Sequence, residues 1–105
     1  MSYYKVAEKS DMDKESVIEV DVDGFSLLIY RDKEDRFFCI KNCCTHDNST
    51  LSDGPVESDT ITCLKHGAKF DLKTGDALTM PAVVGVEVFP VKVEGSKIFV
   101  GIEEE

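Results

Sequence analysis

At both ends of this chain hydrophobic and polar positions alternate with a two-residue period, the spacing of half-buried strands rather than of helices. Ser16 to Val22 alternates in its second half, and Asp23-Gly24 follows as a hairpin-turn dipeptide. Phe25 to Tyr30 reads as the returning strand, the charged run Arg31 to Asp35 as a loop, and Arg36 to Lys41 as a third strand. Near the other end Val86 to Val93 alternates as one strand, in which Pro90 marks an edge position or a bulge. Glu94 to Lys97 turns the chain and Ile98 to Ile102 returns it. One short helical turn is expected at Ser10 to Asp13, within Lys5 to Lys14. Short strands separated by turn signals predict an all-β fold of small antiparallel sheets, in a sandwich or barrel.

The middle of the chain breaks this pattern. Asn42 to Pro81 is rich in Asp, Gly, Ser, Thr and Lys, and its strands are short at best, Thr60 to Cys63 and Ala68 to Asp71. A stretch with so little apolar periodicity needs something besides a hydrophobic core to hold it. Three of the four cysteines and both histidines fall inside it.

With 105 residues the chain is expected to form one domain, against ~150 residues per domain. Its net charge of −9 argues against a nucleic-acid binder, which needs a basic footprint, and against adhesion to an anionic membrane. Met1 to Lys5 has no apolar core of a signal peptide, and no apolar stretch approaches the ~18 residues of a membrane span. The protein is therefore expected in a reducing cytoplasm, where cysteines serve as metal ligands or free thiols rather than disulfides.

The chemistry lies in two short boxes, Cys44-Thr45-His46 and Cys63-Leu64-Lys65-His66, separated by the sixteen residues Asp47 to Thr62. Two thiolates and two imidazoles make a four-ligand set suited to iron–sulfur or zinc. Structural zinc sites usually pair cysteine with cysteine and histidine with histidine, whereas each box here carries one of each. C-x-H also sets two ligands on one very short turn, tight for a single tetrahedral ion and better suited to a binuclear cluster.

The segment CTHDNSTLSDG…CLKHGAKFDLKTG…MPAVVGVEVFPVKVEG resembles Rieske-type ferredoxins, above all the soluble ferredoxins of bacterial ring-hydroxylating dioxygenases and similar archaeal proteins. The resemblance implies one [2Fe–2S] cluster, with Cys44 and Cys63 on the inner iron and His46 and His66 on the outer, solvent-facing iron. It implies the family's three-layer antiparallel fold, with a base of roughly residues 1–41 and 82–105 and an inserted cluster-binding subdomain of roughly 42–81. Met80-Pro81-Ala82 resembles the family's proline loop, which covers the cluster from a third side.

Formal charge explains the histidines. Two ferric ions, two sulfides and two thiolates are neutral together, whereas four thiolates would leave the centre doubly negative, so the histidine-ligated centre accepts an electron at a higher potential. Within the Rieske range of about −150 to +300 mV, the low end is expected here. High-potential relatives carry a disulfide whose positions match Ser49 and Lys65, and sulfur-bonding hydroxyls whose positions match Ala68 and Phe70. The net charge of −9 pushes the same way, and Lys65 and Lys69 oppose it locally.

Other residues have plainer expectations. Cys39 reads as a small core residue, and Cys43 as loop packing, with a spare thiol, an alternative ligand or a disulfide partner as its other readings. Gly54, Gly67 and Gly75 read as positions of positive φ or of close backbone approach, and Leu51, Leu64, Met80 and Pro81 as shields of the cluster from water. No Gly-rich phosphate loop appears, and no catalytic set remains once both histidines are committed. The expected function is thus a non-enzymatic electron carrier, taking one electron from a flavin-dependent reductase and giving it to an acceptor such as a terminal oxygenase. The alternatives are a zinc-stabilised binding module, or a small non-catalytic subunit like that of nitrite reductase.

Overall fold

The computed structural model describes residues 1–45, 49–65, 67–80, 82 and 84–103. Among these residues ten strands run in chain order: β1 (Ser2–Glu8), β2 (Ser16–Val22), β3 (Phe25–Arg31), β4 (Phe37–Lys41), β5 (Val56–Glu57), β6 (Thr60–Thr62), β7 (Lys69–Asp71), β8 (Val88–Phe89), β9 (Val91–Glu94) and β10 (Lys97–Ile102). They form three antiparallel sheets, ordered β1-β10-β9, β2-β3-β4-β8 and β5-β6-β7. The all-β expectation therefore holds. Among the described residues no helix is long and apolar enough to cross a membrane.

The four-stranded sheet is the middle layer, and β3 shows why. Leu27, Leu28, Ile29 and Tyr30 are consecutive and all buried. Successive side chains of a strand point to opposite faces, so a continuous apolar run signals burial on both sides. Leu27 and Ile29, with Cys39 of β4, pack against Ile98, Val100 and Ile102 of β10. Leu28 and Tyr30, with Ile40, pack against Ile61 of β6 and Phe70 of β7. Cys39 is thus a core residue, as expected, and burial pushes its thiol up to about 12.

The hairpins follow from backbone chemistry. Asp23 and Gly24 both adopt positive φ, 49° and 85°, between the paired residues Val22 and Phe25. That is the twist that joins two antiparallel strands in two residues.

Two sequence expectations need correction, and one strand was not foreseen. Ser2–Glu8 is a strand that the local pattern did not announce, because its pairing partner is β10 at the far end of the chain. The helical turn is a 3-10 turn at Lys9–Asp11, earlier than Ser10 to Asp13. Val86 to Val93 is two strands, β8 in the middle sheet and β9 in the β1-β10-β9 sheet. Pro90 lies between them; it has no N–H to donate to a ladder, while its carbonyl accepts the Gly101 N–H at 2.9 Å.

A polar joint fastens the small β5-β6-β7 sheet to the middle sheet. The Tyr30 hydroxyl donates to Asp59 Oδ1 at 2.5 Å. Asp59 sits in the β5–β6 turn, where Ser58 and Asp59 both take positive φ without glycine. Lys73, just past β7, places its ammonium 3.3 Å from Asp59 Oδ2, 3.4 Å from Asp32 Oδ2 and 5.5 Å from the Phe38 ring centre. Asp32 is buried and accepts the Glu34 and Arg36 backbone N–H groups at 3.0 and 2.8 Å and Arg36 Nε at 2.8 Å. Burial alone would raise its pKa, but these donors and Lys73 together hold the carboxyl at about 2, against an ordinary 3.8.

The folded value lies below the unfolded one, so the contribution of Asp32 to stability is complete above about pH 4 and is lost as the pH falls through about 2. Asp32→Asn is expected to lower unfolding free energy by about 2 kcal/mol at neutral pH. The gap to the unmodified protein should close at the acid end; parallel denaturation curves across that range would refute the assignment.

Candidate metal centre

Cys44 and Cys63 sit at corners leaving the middle and small sheets. Cys44 follows β4, and its N–H donates to the Ser49 carbonyl at 2.6 Å, drawing the first loop into a tight rung. Cys63 follows β6. Its N–H donates to the Ala68 carbonyl at 2.7 Å and its carbonyl accepts the Gly67 N–H at 2.8 Å. Gly67 makes this turn at φ 73°, with open space where a Cβ would stand, so backbone conformation rather than crowding asks for glycine there.

The two corners meet in one place. Cys44 and Cys63 are 0% and 1% exposed and belong to a single buried cluster with Leu51, Ala68, Phe70, Ala82 and Val86. No disulfide joins any of the four cysteines. His46 and His66 lie outside the described residues, as does Pro81. Among the described residues no group of three or more His, Cys, Asp or Glu side chains forms a metal site. The two cysteines are thus the described half of the expected ligand set. Two soft sulfur donors in a dry apolar pocket suit an iron–sulfur cluster.

A third segment spans both corners. The Thr45 hydroxyl donates to the Val84 carbonyl on one side. On the other, Leu78 N–H donates to the Lys69 carbonyl at 2.8 Å and Lys69 N–H to Thr79 Oγ1 at 3.0 Å. The segment is closed at its neck by Val86 N–H on the Gly75 carbonyl at 2.8 Å. A Cβ on Gly75 would stand 2.3 Å from the Val86 carbonyl oxygen. Gly75 has the positive φ expected of it, whereas Gly54 does not; there a Cβ would meet the Thr62 carbonyl at 2.0 Å.

The expected shields divide. Leu51 is fully buried, but Leu64 and Met80 are 67% and 73% exposed, and Leu78 and Val84 are exposed as well. No local signal marks Asn42, whose side-chain Oδ1 accepts the backbone N–H groups of Leu51 and Ser52. Nor does one mark Thr45, because a lone polar residue in a polar loop carries no local signature. A surface groove of about 420 Å³ is lined by residues including Phe37, Phe38, Val88 and Pro90, and by none of the described residues of either box.

Residues 2–90 match the family model of the Rieske [2Fe-2S] domain. The chain belongs to that family. It is 45% identical over 69 residues to the 3-phenylpropionate/cinnamic acid dioxygenase ferredoxin subunit of Shigella boydii serotype 4, covering 65% of each chain, so it spans just under two thirds of that relative. It is 33% identical over 93 residues to the ferredoxin component of the naphthalene 1,2-dioxygenase system of Pseudomonas putida, covering 89% of this chain and 88% of that one. In structure it is similar to a chain in the complex of reduced oxygenase and oxidized ferredoxin in carbazole 1,9a-dioxygenase. The TM-score is 0.88 at 32% identity, over 98% of this chain and 95% of that one. Family membership brings a [2Fe–2S] cluster as cofactor, in keeping with the paired sulfur donors.

Gly75→Ala should open the neck of the third segment, because the tightest clash is with the Val86 carbonyl oxygen, which no side-chain rotation relieves. Hydrogen exchange at the Val86 amide is expected to rise about tenfold or more, for a loss of at least ~1.4 kcal/mol locally. An unchanged amide would show that the neck does not depend on this contact.

Proposed function

We propose that this chain is a soluble one-electron carrier of low potential, cytoplasmic, taking electrons from a flavin-dependent reductase and passing them to a terminal oxygenase. Cys44, His46, Cys63 and His66 would hold its single [2Fe–2S] cluster, on a subdomain of roughly residues 42–81 carried by a base of roughly 1–41 and 82–105. The observation that carries this reading is the burial of Cys44 and Cys63 together in one apolar cluster of a Rieske-family chain. The dioxygenase ferredoxins among its relatives, and the oxygenase–ferredoxin complex that it resembles, support the choice of partner.

When bound, the cluster supplies one-electron redox chemistry. The chain's residues set the conditions for it. Leu51, Ala68, Phe70, Ala82 and Val86 exclude water around the sulfur donors, and in a low dielectric an added negative charge is less welcome. Ala68 and Phe70 are fully buried and bring no hydroxyl to offset this. Both features favour the low end of the Rieske range. The exposed apolar residues Leu64, Leu78, Met80 and Val84 would form the rim of a small, transient redox contact.

The test is metal analysis with EPR of the dithionite-reduced protein. About two irons and two sulfides per chain are expected, with a rhombic signal of average g below that of all-cysteine clusters. Cys44→Ser and Cys63→Ser should each abolish it. Zinc without sulfide would overturn the proposal in favour of a zinc-stabilised module.

The potential can be checked separately. Restoring the missing hydroxyls as Ala68→Ser with Phe70→Tyr is expected to raise it. One neutral hydrogen bond of about 1 kcal/mol corresponds to on the order of 40 mV for one electron. Voltammetry showing no change, or a fall, would remove these two positions from the account.

A further inference from the structure

We propose that Asn42 is a positioning residue, a side-chain clasp that holds the first ligand loop closed and anchors it to the middle sheet; this rests on the electron-carrier function above. Asn42 is 5% exposed and stands two residues before Cys44. Its Oδ1 accepts the Leu51 N–H at 2.7 Å and the Ser52 N–H at 3.1 Å, from the far end of the loop. Its Nδ2 donates to the Glu19 carboxylate of β2 and to Ser26 Oγ of β3, the latter at 3.1 Å. Its own N–H donates to the Ser26 carbonyl at 2.9 Å. One amide therefore joins both ends of the 42–52 loop to two strands.

The chemistry asks for this residue type. Only a side-chain amide presents an acceptor to two backbone donors and a donor to a carboxylate and a hydroxyl at once. Alanine would leave the Leu51 and Ser52 amides without their acceptor, and the first of these is fully buried. Aspartate would keep the acceptor but set a second carboxylate against Glu19. The clasp also places Leu51, whose side chain lies in the same buried cluster as Cys44 and Cys63. With the Cys44–Ser49 rung inside it, the clasp leaves Cys44 little freedom to move.

Amide hydrogen exchange and cluster release to a chelator test this together. In Asn42→Ala the Leu51 and Ser52 amides are expected to exchange about tenfold faster or more, while Ile61 and Phe70 in the small sheet stay within about twofold. Cluster release should quicken in parallel. Asn42→Asp should behave alike, and adding Glu19→Gln should reverse much of the effect, since the new amide can donate to the aspartate. Uniform acceleration across the sheets, unchanged Leu51 and Ser52 amides, or no rescue by Glu19→Gln would each overturn the clasp. Should Asn42→Ala fail to fold, Glu19→Ala at its exposed site is expected to speed the same two amides to a smaller degree, and silence there would overturn it too. Exchange is read with or without iron. A chain that holds no iron and sulfide would therefore sink the electron-carrier function and leave the clasp to be judged on exchange alone.

Discussion

Everything in this molecule hangs on the burial of one strand from both sides. Leu27 and Ile29 of β3 face the β1-β10-β9 sheet, while Leu28 and Tyr30 face the small sheet and the two cysteine corners. Each such side chain contributes roughly 2 kcal/mol when taken out of water. The two cores thus share a single backbone, and the terminal strands and the ligand-bearing region are coupled through it.

The ligand corners reach that strand by different polar devices. The first loop is tied through Asn42 to Ser26 of β3 and to Glu19 of β2. The second belongs to the β6–β7 hairpin, whose neighbouring turn is held by Tyr30 through Asp59 and by Lys73 between Asp59 and Asp32. Apart from the exposed Glu19, both devices use buried or half-buried polar groups that have partners, the condition under which such networks specify geometry rather than weaken a core. Among the described residues no buried side-chain nitrogen or oxygen lacks a hydrogen-bond partner. The Ser58-Asp59 turn carries two non-glycine residues at positive φ, a local cost that the Tyr30 bond helps to offset.

Around the sulfur donors the packing is apolar and short of hydroxyls, whereas the outer rim is apolar and exposed. Ala68 and Phe70 belong to the first environment, Leu64 and Met80 to the second. Of the residues expected to seal the site, Leu51 lies in the inner layer, whereas Leu64 and Met80 lie in the exposed outer one.

Much of this was legible in the chain itself. The strands from Ser16 to Lys41, the Asp23-Gly24 hairpin and the return at Ile98 to Ile102 are local matters of period and turn chemistry, and they appear where the pattern places them. The two Cys/His boxes stand out in the chain because their spacing is a chemical signature. What tertiary structure alone decided are pairings between distant segments. Ser2–Glu8 became a strand only against β10, and Pro90 divides what looks like one strand between two sheets. Asn42, Asp59 and Lys73 became structural only through partners nine or more residues away in the chain. Periodicity and spacing are properties of neighbours along the chain, so one sequence reveals them. A hydrogen bond between remote side chains exists only once the apolar layers have brought its two ends together.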